Sequence, residues 1–164
     1  MRFKILLARP RKWKPGSWLI MKVQGLPFSH CAIQLMDGYV RESVWPEARR
    51  ISELEWRSHY RIVEQYEYVI AESKYCNLRD VLQEYMGTKY SILQLAIIAL
   101  GQTIKPLEKL LGKVIWNGKK RLICTELGLI ALETALDYKP NEEQDMFDLV
   151  DIRVAAKEIS NGIR

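Results

Sequence analysis

Residues 29–44 read SHCAIQLMDGYVRESV, and this stretch decides how the chain folds. Residues 29–35 and 39–44 are two short runs rich in apolar and β-favouring side chains, and between them stands Asp37-Gly38, a pair that tolerates the backbone of a tight hairpin. The spacing predicts two antiparallel strands. Upstream, Pro15-Gly16 reads as a turn and residues 17–23 (SWLIMKV) as a strand of large apolar residues, closed by residues 25–27. Three strands in a meander are therefore expected.

Beyond the hairpin, residues 51–59 read as a short helix or irregular turn, and residues 66–72 (YEYVIAE) as a fourth strand. Asn77 has the chemistry of an N-cap for a helix over 78–86, which Gly87 would end. Residues 90–100 are apolar nearly all round, the mark of a buried helix, and Pro106 opens a further short helix over 106–111 before Gly112. A Lys/Gly loop at 117–120 leads to Cys124. From there to residue 136 the composition favours a helix apolar on most faces, interrupted only by Glu126 and Glu133, which lie seven apart and so share one face. The pattern over 150–159 does not choose an element type.

With 164 residues, 48% hydrophobic and 27% charged, the chain fits one compact domain. Neither a repeat nor a linker divides it. Three cysteines without repeated spacing give no disulfide framework, which predicts a reducing compartment. The apolar stretch after Arg2 is only Ile5, Leu6, Leu7 and Ala8, short of a signal h-region, so cytoplasmic residence is expected. The longest apolar run, residues 92–100 broken by Gln94, is too short to cross a bilayer core that needs about 20 residues. Net charge is +5 and unevenly placed: residues 1–22 hold seven basic side chains and no acid, leaving 18 of the chain's 25 basic groups to set against all 20 acids. Such an end can attract phosphates, whether of nucleic acid or anionic lipid, or simply solubilise a face.

Chemistry enters with Cys124. A thiol becomes a useful nucleophile when its pKa falls, and the start of a helix lowers it through the dipole and free N–H groups. Lys119, Lys120 and Arg121 precede it and would add to that effect. A base is also needed, and the chain has two histidines. His59 lies in a polar stretch and reads as solvent-facing. His30 begins an apolar strand, and across the expected hairpin it stands nearly opposite Glu42, within about one residue of register and, if the turn is regular, on the same face. A carboxylate there would hold one ring nitrogen and leave the other to deprotonate a thiol. The candidate triad is Cys124, His30 and Glu42.

These blocks, PGSWLIMKVQGLPFSHCAIQL at 15–35, GYVRESVWPEARRI at 38–51 and LICTEL at 122–127, together resemble the circularly permuted papain-like fold, most closely the permuted NlpC-type amidases of the YiiX/YaeF type. In that family a Pro-Gly-started strand is followed by a Ser-His strand and then a strand with a polar orienting residue, and the catalytic Cys opens a late helix in a Cys-Ser/Thr-Glu-Leu motif; the related lecithin:retinol acyltransferase group keeps the same order of His before Cys. The resemblance implies an α+β fold in one domain over residues 1–164, an antiparallel sheet or partial barrel packed against helices, with a buried central helix starting at Cys124. It implies Cys124 as nucleophile, His30 as base and Glu42 as orienting group. Gly87 and Tyr90 in GTKY resemble the family's Gly-x-x-Tyr element, whose tyrosine lines the cleft. Ser91 follows where the bacterial amidases usually have Asp, and more than thirty residues then intervene before Cys124. Residues 92–111 thus read as core first, then as a lid or a docking face for an acyl chain.

The expected reaction is acyl transfer on an amide or ester of a small-molecule, peptide or lipid-like substrate, through a thioester and without a cofactor. The oxyanion would meet the Cys124 backbone N–H and a second donor from Tyr90 or the Ser29 region. A different reading is a non-catalytic binding module that grips nucleic acid or anionic membrane through residues 1–22, with Trp13 and Trp18 stacking beside Lys12 and Lys14. A metal site from His30, Cys31, Cys76 and Cys124 lacks ligand spacing, so no metal is expected; Cys31 reads as core on the face opposite His30, and Cys76 as incidental.

Overall fold

The computed structural model describes residues 1–92, 121–140 and 148–162. Over these the chain is α+β: a five-stranded antiparallel sheet with helices against both its faces. Strand β1 (Arg2–Pro10) comes first, then helix α1 (Pro15–Gln24), the hairpin β2 (His30–Leu35) and β3 (Tyr39–Ser43), and β4 (Ala48–Ser52). Helix α2 (Glu53–His59), β5 (Tyr60–Val69) and α3 (Glu72–Glu84) follow, and the sheet runs β4-β3-β2-β1-β5. A separate two-stranded parallel pair, β6 (Lys89–Tyr90) with β7 (Arg121–Leu122), leads into α4 (Cys124–Leu136), and α5 (Leu149–Ser160) completes the described chain.

The sheet is covered on both sides, which explains why β1 reads as an unbroken apolar run rather than an alternation. Phe3, Ile5 and Leu7 face the larger core with Cys31, Ile33 and Leu35 of β2, under α3, α4 and α5. Leu6 and Ala8 face the other way, with Ala32, Val40, Ile51, and Trp56 of α2. The β1–β5 pairing shifts register after Leu7↔Glu64 to Ala8↔Ile62, leaving Val63 as a bulge.

Helix α4 is the centre of the larger core: Leu127, Ala131, Leu132 and Ala135 are buried to 1% exposure or less. Its close approach to the sheet has one steric consequence. A Cβ on Gly128 would lie 2.9 Å from Cys31 Sγ and 2.9 Å from Ile152 Cδ1, so the glycine lets α4 sit against β2 and α5 at once. Gly128→Ala is expected to destabilise by about 1–3 kcal/mol through overpacking, although alanine is the better helix former. Urea unfolding checks this; a stabilised variant would mean the three elements have room to spare.

The structure corrects several expectations. Residues 17–23 are not a strand of a meander but belong to α1, which Pro15 opens with a φ already helical and Gly25 closes in the left-handed region (φ 64°). The place beside β2 that the expected strand would have taken is filled by β1, paired from Phe3↔Leu35 to Ala8↔His30. Asn77 does not cap a helix; it lies inside α3, which starts five residues earlier, straight after β5. The fourth strand likewise begins at Tyr60 rather than 66 and ends at Val69, because β1 offers nine residues of backbone to pair with. Residues 51–59 divide between the end of β4 and α2, whose Ser52 accepts a hydrogen bond from Glu55 N (3.2 Å). Residues 150–159 are helical within α5, capped by Asp148. Tyr90 ends β6 instead of opening a helix; the remainder of that expected helix from residue 93, the helix over 106–111 and the loop at 117–120 lie outside the described residues.

Among the described residues no helix is long and apolar enough to cross a membrane.

Candidate active site

His30 stands at the first position of β2 and Cys124 at the first of α4. What brings them together is the segment ahead of α4. Ser43 at the end of β3 donates its Oγ–H to Leu122 O (2.9 Å), and Ser91 N donates to the same carbonyl (3.3 Å), so the residues just before Cys124 are tied to the sheet. Glu126 then reaches back to accept from Ile123 N (2.8 Å), fixing the first turn of α4. The helix thereby begins beside the His30 end of β2, and the Cys124 thiol lies close enough to the His30 ring to help raise its pKa.

The other side of the ring is taken by Glu42. His30 Nε2–H donates to Glu42 Oε2 at 2.7 Å, which leaves Nδ1 as the ring nitrogen for the thiol. In β2–β3 Glu42 pairs with Ala32, so its contact with His30 is diagonal and two residues from direct opposition, not one. The turn is the reason. Leu35 and Tyr39 flank a three-residue connection, with Gly38 at φ 78°, whereas a two-residue turn at Asp37-Gly38 would have sent the two side chains to opposite faces.

Glu42 is completely buried, at 0% exposure, and every lone-pair direction is accounted for by a donor. Trp56 Nε1–H also donates to Oε2 (2.9 Å), while Arg49 Nε (2.9 Å) and Nη2 (2.8 Å) both donate to Oε1. Burial alone would raise this carboxyl's pKa, but the bonds from His30 and the Arg49 guanidinium overcome it and pull the value down to about 2. Burial also disfavours a charged His30 ring, yet Tyr60, the thiol and the Glu42 carboxylate outweigh it, and the imidazole is held well above its ordinary value. The ring is further fixed by stacking: Tyr60 lies 4.8 Å from it at 18°, and Trp56 lies 5.1 Å from Tyr60 at 23°.

Cys124 is 6% exposed and His30 7%, so the pair is nearly enclosed. Tyr90, on β6, lies near Cys124 and Tyr60, and burial pushes its hydroxyl up. Ser29 precedes His30, and its buried Oγ has no hydrogen-bond partner among the described residues; nor has Thr125 Oγ1, next to Cys124. Five positions read from the sequence, Cys124, His30, Glu42, Tyr90 and Ser29, thus gather at one end of the sheet. Cys31 faces the larger core away from His30, where burial raises its thiol pKa, and Cys76 is half-buried on α3. His59 ends α2, exposed. Among the described residues no group of three or more His, Cys, Asp or Glu is placed to hold a metal ion.

Arg49, Trp56 and Tyr60 are the residues that sequence reasoning missed. For Arg49 a signal existed: it is the direct cross-strand partner of Glu42 in β3–β4, an opposite-charge pair. Trp56 is the one large apolar residue between charges in ELEWRSH apart from Leu54, and a face assignment for so short a helix needs the tertiary fold. A cleft of about 220 Å3 between Arg2, Lys4, Gln34, Glu53 and Glu67 lies at the opposite end of β1 and β2 and touches none of these groups.

Compared with known proteins, the chain matches no family model and no curated protein.

Proposed function

We propose that the protein is a cysteine hydrolase or acyltransferase of permuted papain-like type, acting on an amide or ester through Cys124, His30 and Glu42. The observation that carries this reading is the chain of contacts thiol to imidazole to carboxylate, formed between residues 94 positions apart in sequence, with the carboxylate itself locked by two further side chains. A packed core histidine needs one partner for each ring nitrogen; it does not need a fully buried anion whose orientation is separately fixed.

In the proposed reaction His30 Nδ1 takes the thiol proton and Cys124 Sγ attacks the acyl carbon, forming a C–S bond. The tetrahedral oxyanion is met by the backbone N–H of Cys124 at the start of α4 and by a second donor, the Tyr90 or Ser29 hydroxyl. Collapse breaks the C–N or C–O bond, and the imidazolium gives its proton to the departing amine or alcohol. Water or another acceptor, deprotonated by His30, then attacks the thioester; the C–S bond breaks and the thiol regains its proton. Glu42 stays ionised throughout, which matches its depressed pKa.

The reading is tested by alkylating the native protein with iodoacetamide at about pH 6, where an unpaired thiol is overwhelmingly protonated, and locating the adducts by mass spectrometry. Rapid labelling confined to Cys124, and lost in His30→Ala, is the expected result. Slow and equal labelling of Cys31, Cys76 and Cys124 would end it.

A further inference from the structure

Helix α1 has no buried residue, and its outward face is unlike that of an ordinary surface helix. Trp18, Leu19 and Lys22 fall on one face at helical spacing, and Trp18 and Leu19 are 47% and 48% exposed; Trp13, just ahead of the helix, is 75% exposed. The side turned toward the protein carries Ile20, which packs partly against the larger core. A helix that keeps large apolar groups in water on its outer face has a surface built for contact.

The charges beside it narrow the contact. Arg2 and Lys4 pair with Glu67 (3.1 and 3.2 Å), and Arg11 Nε donates to the carbonyls of Arg57 and Tyr60, so these three cations are spent within the fold. Arg9, Lys12, Lys14 and Lys22 have no acidic partner among the described residues. They flank Trp13, Trp18 and Leu19 in a segment without a single acid. Exposed indoles and a leucine rimmed by lysines match the interface of an anionic bilayer, where the rings sit at the headgroup level and the ammonium groups meet lipid phosphates and carboxylates. Nucleic acid would use the rings and the cations but would leave Leu19 without a role.

The face is also placed with respect to the site. Lys14, at the start of α1, holds its Nζ 5.8 Å from the Tyr60 ring, and that ring stacks on His30. The basic end of α1 therefore stands one ring away from the imidazole. We propose that α1 and the residues leading into it dock the protein on an anionic lipid surface, with the His30 end of the sheet held next to the bilayer.

The test is flotation of the full chain with vesicles of phosphatidylcholine alone and of phosphatidylcholine with about a third phosphatidylserine, at low and high salt. Wild type is expected to bind the anionic vesicles at least tenfold better, since each cation near such a surface contributes roughly fivefold. The double variant Trp18→Ala/Leu19→Ala is expected to lose at least tenfold in partitioning with an unchanged circular dichroism spectrum. Lys12→Glu/Lys22→Glu is expected to lose the preference for anionic over neutral vesicles, a second reading should the first variant fold poorly. Cys124→Ala is expected to bind as wild type does, which separates docking from the proposed reaction. Absence of binding to both vesicles, binding unchanged in both double variants, or salt-sensitive binding of a single-stranded oligonucleotide that vesicles do not displace would each overturn the proposal.

Discussion

Acylation of Cys124 by an activated aryl ester is expected to slow by about a thousandfold in His30→Ala, within the range that a positioned proton-transfer group supplies. His30→Gln, which keeps much of the bulk beside Tyr60 but cannot exchange a proton near neutral pH, is expected to be as slow. Were the ring only a packing element, the glutamine variant would retain most of the rate, and a loss under about tenfold would remove His30 from the mechanism. The pH profile carries the same argument. The neighbours of His30 hold its pKa well above the ordinary value, so the limb on which the ring loses its proton lies well above the ~6.5 of a free histidine. Part of that elevation comes from the Glu42 carboxylate; in Glu42→Gln the limb is expected to move down toward 6.5. A limb that stays put would show that Glu42 does not act on the ring.

The largest expected effect on stability is at Glu42 itself. Removing its carboxylate in Glu42→Ala leaves the Trp56 indole N–H, the Arg49 guanidinium and the His30 ring without their acceptor in a closed site, and the loss is expected to be about 3–5 kcal/mol. Glu42→Gln retains one acceptor oxygen and is expected to lose less. Linkage sets the pH window. Because the folded carboxyl titrates at about 2, its contribution is fully present above the ordinary carboxylate value near 4.3 and disappears as pH falls through about 2. For His30 the sign is reversed: the folded value is raised, so its contribution is complete below ~6.5 and is lost as pH rises through the raised value. Urea unfolding of wild type and Glu42→Ala at pH 7, 5 and 3 is therefore expected to show a gap that is wide at the first two and narrower at the third. A gap of constant width would mean the carboxylate is not charged in the folded protein, and the network would have to be reassigned.

Much of the candidate site was legible before the fold was known, for local reasons. The Cys124 helix is marked by a run rich in Leu, Ala and Glu over Cys124–Leu136; in the fold Glu126 accepts from Ile123 N and Asp137 stands in the left-handed region at its end (φ 54°). The hairpin from His30 to Ser43 was marked by its turn and by the β-favouring runs on either side. The anchoring of Glu42 was not legible in the same way, since Arg49 reaches it through a strand pairing and Trp56 through a helix-to-sheet contact that no local pattern encodes.

Residues 17–23 show where local reading fails. A run of Trp, Leu, Ile, Met and Val satisfies strand and helix preferences alike, and the ambiguity is resolved by what lies next to β2. Arg2–Pro10 pairs with β2 and β5 together while burying apolar side chains on both of its faces, whereas the later segment follows Pro15, which opens it as a helix. Periodicity tells a side chain which face to take but not which neighbour will cover that face. By itself, then, the sequence determined the local elements at Cys124 and around the Asp37-Gly38 turn, and it singled out the thiol, the imidazole and the carboxylate as the groups with chemistry to offer. That β1 runs between β2 and β5, that a three-residue turn keeps His30 and Glu42 on one face, and that α4 starts against the same end of the strands were settled by the tertiary fold. Each of those is a comparison of long-range pairings, and their free energies are not written in any one segment.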